Sequence, residues 1–406
     1  MLLESRAMAD GQGEPGVRWR LPFALTLIPS YRCSATCKDC CFQSNPYIQH
    51  RVPQERLLGY IDEAVMLQTI RLVCITGGEA FLLGKDLVEL ISRAASNGFM
   101  TRIVTNGFWA TSDARAEERL KPLIAAGLRE INFSTGDDHQ EFVPVSHVIT
   151  GMAAAMRLGL DCAMMIEERE VRKVTRATVL ADACAYPYLR EALETGKILI
   201  VESPWMKFNE KTEHIDAVKR KLANRKNLST REPCTSVMTT IVINPAEELG
   251  MCCGLPRESL PDLTAGNLRD RSLLELVDEG LHDFLKIWLF IEGPERILAW
   301  ASAYDPEILW EDLYAHNCDA CRAMYTSSKV QKVIEERYTE KYDEILELYA
   351  LYLAGSKTAC ADTTGRLIGR RTDSISRPAS RVPDQMNRPI VAQKRKMPLV
   401  SINIPG

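Results

Sequence analysis

Short apolar runs alternate with longer amphipathic stretches through the first half of the chain. The runs are rich in β-branched and other apolar side chains and predict six strands, at residues 23–28, 71–76, 101–105, 129–134, 161–167 and 197–202. The intervening stretches predict helices at residues 86–98, 115–126, 143–158 and 171–183. Strands that alternate with helices form parallel βαβ units. The pattern therefore predicts an α/β fold in which the carboxyl ends of the strands meet at one edge.

The pattern changes beyond residue 230. A strand-like run at residues 238–244 and a turn at 245–250 predict a β-hairpin, and residues 272–279 predict a helix. A charged amphipathic helix is predicted over residues 329–353, because its apolar positions recur near helical spacing. The second half of the chain therefore holds a smaller hairpin and helical unit.

The C-terminal segment, residues 355–406, contains 10 Lys and Arg and 3 Asp, a net charge of +7. The whole chain carries −4, so residues 1–354 carry −11. The segment is rich in Arg, Pro and Ser and has little apolar periodicity, so we expect a disordered tail that could attract an acidic partner. Its basic run at residues 394–396 is too short to predict nucleic-acid binding.

Composition limits the class of protein. No uninterrupted apolar stretch approaches the roughly 20 residues that span a bilayer, and residues 1–20 lack the apolar core of a signal peptide. Thirteen cysteines without an export signal point to metal ligation in a reducing cytoplasm rather than to disulfides. Cys74, Cys162 and Cys184 lie in apolar stretches and are expected to be core residues. We therefore expect a cytoplasmic, metal-binding protein with no membrane partner.

Three cysteines, Cys33, Cys37 and Cys40, form a C-x3-C-x2-C pattern directly after the first predicted strand. Three thiolates on one short loop suit a [4Fe–4S] cluster and leave one of its four irons open to another ligand. Two alternatives remain open. Cys41 could replace Cys40 as third ligand, and a zinc knuckle could use His50, although nothing in the spacing of His50 favours it. An iron with a free coordination position indicates a catalytic cluster rather than one that only transfers electrons.

A second motif, Gly77-Gly78-Glu79, follows the second predicted strand. With the cysteine triplet it resembles the signature of the radical S-adenosylmethionine (SAM) superfamily, whereas a diglycine alone would indicate only a turn. The resemblance implies that the open iron binds the amino and carboxylate groups of the methionine part of SAM. It also implies that this motif contacts the amino group. Two residues depart from the family pattern: Asp39, where an aromatic residue is usual, and Ala80, where proline is frequent.

The resemblance also implies a fold and further SAM contacts. It predicts a partial (β/α)6 barrel with the active site at the C-terminal ends of the strands. In that superfamily, polar residues at the ends of the third to fifth strands contact SAM, which assigns Asn106 and Ser134 to the site and adds Asp137 as a weaker candidate. A turn at Asn106 and a helix cap after Ser134 are the alternatives. His139 fits a solvated loop slightly better than a site acid or base, and Trp205 could wall the adenine.

A second group of cysteines lies beyond residue 230. Cys234 precedes the predicted hairpin, Cys252 and Cys253 follow it, and Cys318 and Cys321 form a C-x2-C pair. Four thiolates from a hairpin and a turn would close either a tetrahedral zinc site or an auxiliary [4Fe–4S] cluster. The cysteines alone do not separate the two metals.

This arrangement resembles the SPASM extension, or the shorter twitch extension, of radical SAM enzymes. The resemblance implies one auxiliary [4Fe–4S] cluster held by four of these cysteines, which are expected to be Cys234, Cys253, Cys318 and Cys321. Cys253 is preferred to Cys252 because Cys-Cys-Gly resembles the end of the hairpin in that extension. Glu247 or Glu248 stands where that family has a glycine, and only Cys360 remains farther along, so we do not expect a second auxiliary cluster.

The expected organisation follows from these assignments. It is an N-terminal extension (1–22), a partial radical SAM barrel (23–230), a SPASM- or twitch-like domain (231–325), a C-terminal helix (326–354) and the basic tail (355–406). About twenty residues precede the first predicted strand, so we expect no separate leader-binding domain.

The resemblance implies a radical SAM oxidoreductase. An electron donor such as flavodoxin or ferredoxin would supply one electron, and SAM would be cleaved reductively to methionine and a 5′-deoxyadenosyl radical that abstracts hydrogen from the substrate. The SPASM-like segment favours a precursor peptide as substrate, as for maturases of ribosomally made peptides. The alternatives are a small metabolite as substrate, or a non-enzymatic iron–sulfur or zinc scaffold. A scaffold would have no use for Gly77-Gly78-Glu79.

Overall fold

The computed structural model describes residues 21–208 and 218–353. The predicted basic tail and nearly all of the predicted N-terminal extension lie outside the described residues. The strands within the described ranges are Ala24–Leu27 (β1), Leu72–Ile75 (β2), Met100–Thr105 (β3), Glu130–Thr135 (β4), Asp161–Glu168 (β5), Leu199–Pro204 (β6), Thr240–Ile243 (β7), Glu248–Gly250 (β8) and Thr264–Asn267 (β9).

The α-helices of the same ranges lie between the strands and then follow them. They are Gln54–Ala64 (α1), Lys85–Ser96 (α2), Asp113–Ala125 (α3), Asp137–Gln140 (α4), Val145–Arg157 (α5), Arg176–Asp182 (α6), Pro187–Glu194 (α7), Leu273–Leu281 (α8), Phe284–Glu292 (α9), Pro294–Ser302 (α10), Asn317–Thr326 (α11), Ser328–Arg337 (α12) and Thr339–Leu353 (α13). No helix in the described part of the chain is long and apolar enough to cross a membrane.

The strands form one sheet in the order β6-β5-β4-β3-β2-β1-β7-β8-β9. Strands β1 to β6 are parallel, so the predicted α/β fold is confirmed. The predicted hairpin is present as β7 and β8, and β7 pairs in parallel with β1, so that the hairpin continues the same sheet. Thr26 of β1 aligns with Cys74 on one side and with Val242 on the other. The hairpin is thereby held beside the strand that leads into the first cysteine loop.

Several helical regions differ from the prediction. Helices α7, α9 and α10 were not predicted, and Cys318 and Cys321 lie in helix α11 rather than in the expected turn. Helix α1, between β1 and β2, was not predicted, although it buries Leu57, Tyr60, Ile61 and Ala64 at the spacing of one helical face. The helix predicted over residues 329–353 is divided at Tyr338 into α12 and α13. The rings of Tyr338 and Tyr342 lie 5.9 and 5.0 Å from the ring of Phe284 in α9, so the break brings both tyrosines onto one core aromatic residue.

Alternation along the parallel strands separates the two faces of the sheet. One face packs on the helices through buried side chains that include Leu25, Val73, Ile103, Ile131, Phe133 and Met164. The side chains between them form the inner face of the barrel. Near the start of β3 and β4 this inner face carries a buried ion pair, with Arg102 Nε 2.8 Å from Glu130 Oε1. Farther along the strands, five inner-face residues are partly exposed: Val104, Asn132, Ser134, Met165 and Val201.

Helices α9 to α13 build a second core around the C-terminal cysteines. Phe284 and Trp288 of α9 are fully buried in it, and Cys252 lies in the same cluster. Asp283 caps α9 through its carboxylate and lies 2.5 Å from the ammonium of buried Lys286. This core therefore holds Cys252 inside the protein, with Cys234 and Cys321 packed against it.

Candidate functional site

The loop after β1 carries the three cysteines of the first motif. Cys33 N–H donates to Asn45 O at 3.1 Å, and Cys40 N–H donates to Cys37 O at 3.3 Å, so the loop folds back on itself. Burial raises the pKa of Cys33 to about 11, and burial with nearby carboxylates and thiols raises that of Cys37 as well. The burial of these cysteines and the carboxylates and thiols around them disfavour the free thiolate form. Cluster iron fits this set, because it supplies the positive charge that thiolates need.

Cys40 and Cys41 are adjacent, and their environments differ. The thiol of Cys41 donates to the sulfur of Cys40, which lowers the pKa of Cys40 to about 6. The same hydrogen bond and burial raise the pKa of Cys41. Cys40 is therefore the thiol that ionises more readily, which supports it as the third ligand.

The two glycines at the end of β2 allow the chain to approach the cysteine loop. Gly78 N–H donates to Ser30 O at 3.0 Å, and Glu79 N–H donates to Arg32 O at 2.9 Å. A Cβ on Gly77, whose φ is +133°, would stand 2.5 Å from Ser30 O, and one on Gly78 would stand 2.1 Å from Arg32 O. Neither distance is tolerated, so both positions require glycine. The motif holds the cysteine loop against the end of β2.

Glu79 is 4% exposed, and its carboxylate is engaged by its own chain. Oε1 accepts from the Thr105 hydroxyl at 2.8 Å and from Phe81 N–H at 3.0 Å, and Oε2 accepts from Asn106 N–H at 2.8 Å. Burial raises the pKa of Glu79 to about 7, although these hydrogen bonds act in the opposite direction. Glu79 therefore caps the short turn Ala80–Leu83 and joins the ends of β2 and β3. Its contact with SAM stays a prediction.

Asn106 lies beside the first cysteine. Its Nδ2 donates to Ser34 Oγ at 3.1 Å and approaches Cys33 Sγ at 3.6 Å, while its Oδ1 accepts from Phe108 N–H at 3.0 Å. It thus does more than form a turn, because its amide joins the end of β3 to the cysteine loop. Ser134 lies on the inner face of β4 and is partly exposed. The roles of both residues toward SAM stay predictions.

His139 follows β4 and lies in a buried ion pair rather than in a solvated loop, so the preference for the solvated interpretation is corrected. Its Nδ1 is 2.8 Å from Glu167 Oε1 at the end of β5, and its side chain is 17% exposed. Burial alone would lower the pKa of His139, but the bond and charge of Glu167 outweigh it, and the pKa is raised. Asp137, in contrast, accepts from Lys173 N–H and Val174 N–H and so anchors the loop after β5.

Asp39, where an aromatic residue is usual, is 1% exposed and joins four parts of the chain. Its Oδ1 accepts from Phe208 N–H at 3.0 Å, and its Oδ2 lies 3.7 Å from the guanidinium of Arg169. Its backbone N–H donates to Asp138 Oδ2 at 3.3 Å, and its backbone oxygen accepts from Trp205 Nε1 at 3.0 Å. Asp39 therefore fixes the cysteine loop to the segments that follow β4, β5 and β6. No sequence motif indicated Asp138, Glu167 or Arg169.

A small cavity of about 20 Å³ lies between the hairpin and α11. Its lining consists of thiols and mostly apolar groups: Cys234, Val237, Cys252, Gly254, Pro256, Leu263, Leu289, Pro294, Asn317, Cys318 and Cys321. Burial is the first cause that raises the pKa of each of these four cysteines. The structure thus brings together three of the predicted auxiliary ligands and adds Cys252.

The expectation that Cys253 is the fourth auxiliary ligand is not supported by the geometry. Cys252 is 4% exposed and lines the cavity, whereas Cys253 is exposed and does not. A Cβ built on Gly254 would stand 3.2 Å from Cys318 Sγ and 3.6 Å from Cys252 Sγ, so these two sulfurs lie close to the same point. The chain leaves β8 with Met251 and Cys252 turned inward, which leaves Cys253 turned outward.

Within residues 21–208 and 218–353, no three Cys, His, Asp or Glu side chains form a group that could hold a single metal ion. The assignment of a metal at either cysteine site therefore rests on the thiol donor set and not on a preformed single-ion geometry.

The chain was compared with known proteins. The Radical SAM superfamily model matches residues 27–165. A putative peptide biosynthesis protein, YydG of Bacillus subtilis, is 30% identical over 117 residues, which are 29% of this chain and 37% of that protein. The PqqA peptide cyclase of Granulibacter bethesdensis is 31% identical over 151 residues, which are 36% of this chain and 37% of that protein. The chain therefore covers little more than a third of either relative.

Solved structures show partial similarity. SuiB of Streptococcus suis bound to S-adenosylmethionine has a TM-score of 0.41 and 15% identity, over 69% of this chain and 74% of that one. HydG, a maturase of the [FeFe]-hydrogenase, has a TM-score of 0.37 and 13% identity, over 88% and 85%. TM-scores this low do not support a conclusion about function. The superfamily match spans the cysteine loop, the Gly-Gly-Glu motif, strands β2 to β4 and most of β5, and this segment is therefore similar to the radical SAM superfamily domain.

Proposed function

We propose that this chain is a radical SAM enzyme that acts on a peptide. The proposal rests on one observation. The loop that carries Cys33, Cys37 and Cys40 lies in close contact with Gly77 and Gly78 at the carboxyl edge of a parallel sheet. A [4Fe–4S] cluster and SAM are the cofactors of a radical SAM domain. When bound there, they supply a 5′-deoxyadenosyl radical, formed with methionine when one electron from a donor such as flavodoxin or ferredoxin cleaves the C–S bond of SAM.

Different residues of the site would bind the cluster, bind SAM and hold the strand ends in place. Cys33, Cys37 and Cys40 would hold three irons and leave the fourth for the methionine part of SAM. The two glycines let the backbone approach that position, and Glu79 keeps the ends of β2 and β3 in place. Ser134 and the amide of Asn106 are polar groups at the ends of neighbouring strands that could bind other parts of SAM.

The pairs behind the cysteine loop keep this edge of the barrel ordered. His139 is held by Glu167, and Arg169 lies 2.7 Å from Asp138. Arg169 also lies 3.7 Å from Asp39, so one cation is shared by two carboxylates, and the residues form a largely paired polar wall. Such a wall orients a bound ligand and limits the access of water, which would otherwise compete for the reactive radical.

The auxiliary site belongs to the same proposal. We assign it to Cys234, Cys252, Cys318 and Cys321, which face one cavity, and we propose a [4Fe–4S] cluster there. It would accept the electron left on a substrate radical, or bind the substrate directly. The division into a partial barrel (23–230) and a SPASM- or twitch-like unit (231–325) is part of this proposal, as is a cytoplasmic location.

A peptide substrate is supported by the printed names of the relatives, a peptide biosynthesis protein and a peptide cyclase. A precursor peptide encoded beside this chain would strengthen the assignment. A small metabolite remains the second candidate for the substrate class.

The test is SAM cleavage by anaerobically reconstituted protein. Dithionite-reduced wild type should form 5′-deoxyadenosine, detected by mass spectrometry, and should contain about eight irons per chain if both cubanes are present. Replacing Cys33, Cys37 and Cys40 together by Ala should abolish the product and leave roughly half of the iron. Cys184→Ala, at an exposed cysteine away from both sites, is the matched control and should change neither.

Two outcomes would contradict the proposal. Formation of 5′-deoxyadenosine by the triple variant would mean that the catalytic ligands are wrong. Stoichiometric zinc in anaerobically purified protein, with iron for one cluster, would replace the auxiliary cluster by a structural zinc site and leave the SAM chemistry standing.

A further inference from the structure

Asn132 is an unusual residue for the middle of a buried strand. Its neighbours in β4, Ile131 and Phe133, are fully buried against the helices, so alternation places Asn132 on the inner face of the barrel. Asparagine is disfavoured in strands, where β-branched and aromatic residues prevail. A polar side chain at this position is expected to have a hydrogen-bond partner.

No such partner is present in the part of the chain that the structure describes. Asn132 Oδ1 is buried and accepts no hydrogen bond there. The other inner-face polar pair close to it, Arg102 and Glu130, is held by a hydrogen bond of 3.0 Å from Arg102 Nη2 to Glu130 Oε2 and offers Asn132 no partner. A buried acceptor without a donor destabilises a fold, so Asn132 is poorly explained as a structural residue.

The residues beside Asn132 on the neighbouring strands have aliphatic side chains, and most of them are partly exposed. In register, Asn132 lies between Val104 of β3 and Ala163 of β5, and the next inner-face positions are Met165 and Val201. Val104, Met165 and Val201 are each partly exposed. The inner face therefore presents the amide of Asn132 and the hydroxyl of Ser134 among partly exposed aliphatic side chains.

A second unsatisfied acceptor lies nearer the carboxyl edge of the same face. Glu167, two inner-face positions beyond Ala163 on β5, is 5% exposed, and its Oε2 accepts no hydrogen bond among the described residues. The two acceptors define a line that runs from the interior of the barrel to the edge where the cysteine loop lies. A ligand with N–H donors along its length would satisfy both.

We propose that Asn132 recognises a backbone amide of a peptide substrate beside an aliphatic side chain of that peptide. A carboxamide carries an acceptor and a donor side by side, which is the complement of a peptide CO–NH group. The aliphatic side chains beside Asn132 suit an apolar side chain next to that group. The inference deepens the proposed function and rests on it, because it assigns the substrate class and a specificity-determining residue of the same site.

The test compares two blocked tripeptides, acetyl-Gly-Val-Gly-amide and its ester analogue, in which oxygen replaces the N–H after valine. Binding to the reconstituted protein with SAM is followed by ligand-observed NMR. Wild type should bind the amide roughly tenfold more tightly than the ester. Asn132→Leu should bind both with the weaker affinity, and Asn132→Ala provides a second variant with the same expectation.

Thermal stability gives an independent measurement. Asn132→Leu should raise the melting temperature by roughly 2 °C, because it removes an unsatisfied polar group. Asn244→Leu is the matched control. The amide of Asn244 at the end of β7 donates to Glu248 and Glu258 and accepts from Ala246 N–H, so its loss should lower the melting temperature.

Three results would overturn the inference: equal affinity of wild type for amide and ester, unchanged discrimination in Asn132→Leu, or no binding of the tripeptide at millimolar concentration. The last result would move the substrate to the small-metabolite class. Binding and stability are measured without turnover. A wild type that cleaves no SAM but discriminates the tripeptides would therefore contradict the proposed reaction and leave the recognition intact.

Discussion

Replacement of Glu79 by glutamine should change how the stability of the protein depends on pH. The carboxylate is buried and accepts three hydrogen bonds, from Thr105, Phe81 and Asn106. Glutamine has the same shape but one acceptor oxygen and no charge. In one orientation it keeps the bonds from Thr105 and Phe81 and turns its NH2 group toward Asn106 N–H. One buried donor then lacks a partner, at a cost of about 1–3 kcal/mol.

The magnitude of the pH effect follows from the pKa. Burial raises the pKa of Glu79 from 4.5 to about 7. At about 1.36 kcal/mol per pKa unit, ionising this carboxyl in the folded state costs roughly 3 kcal/mol more than in the unfolded chain. The folded state binds the proton more tightly, so the stabilisation is complete below pH 4.5 and is lost as the pH rises through 7. Glutamine does not titrate and has no such loss.

The assay is thermal or urea unfolding of anaerobic wild type and Glu79→Gln between pH 5.5 and 8. All other titrating groups are shared, so their contributions cancel in the difference. Wild type should be the more stable protein at pH 5.5, and its advantage should shrink by about 2 kcal/mol by pH 8. SAM affinity, measured by equilibrium dialysis at pH 8, provides the second readout and should be weaker in the variant.

A difference in stability that stays constant from pH 5.5 to 8 would refute the reasoning, because it would mean that the buried carboxyl titrates at its ordinary pKa. An unchanged SAM affinity with a changed pH profile would have a separate meaning. It would leave Glu79 as a residue that holds β2 to β3 and would remove it from the SAM contacts.

Two further predictions concern the metal sites. Cys252→Ala should lose the auxiliary iron, about half of the total, while Cys253→Ala should keep it; iron analysis would reverse the assignment if Cys253→Ala were the depleted variant. Asp39→Asn should retain the first cluster, since asparagine still accepts from Phe208 N–H, and should raise its reduction potential because a buried negative charge is removed. Asp39→Tyr should lose iron, because the buried site joined to Arg169 has no room for the ring. An unchanged potential in an EPR redox titration of Asp39→Asn would show that the carboxyl is protonated or screened.

The order of strands was predictable because its causes are local. The six parallel strands lie within about two residues of the apolar runs that predicted them, since alternation and β-branched composition are properties of each segment alone. Gly77-Gly78-Glu79 was identified for a different reason, because together with the cysteine triplet it resembles a family signature, whereas a diglycine alone would indicate only a turn. The pairing of β7 with β1 was not predictable. It joins segments more than 200 residues apart, and no pattern in either segment indicates the other as its pairing partner.

The residues that the sequence analysis could not distinguish or missed share one property: their surroundings depend on which side chains tertiary folding brings to them. His139 could not be distinguished from a loop histidine until Glu167 of another strand end lay 2.8 Å away. Cys252 and Cys253 have almost the same local sequence, and only the direction in which the chain leaves β8 separates a buried thiol from an exposed one.

Asp39 shows the same dependence in a residue that departs from its family pattern. An acidic residue beside a cluster ligand would be costly if it were buried alone, because an unpaired buried charge is strongly disfavoured. Here Arg169 and the backbone N–H of Phe208 compensate the carboxylate, and both come from segments beyond β5. The replacement of an aromatic residue by Asp39 is therefore explained only together with Arg169 and the backbone N–H of Phe208. A chain with Asp at this position should keep a cation at the end of β5, and Arg169→Leu alone should destabilise the cysteine loop more than the double change Asp39→Asn with Arg169→Leu.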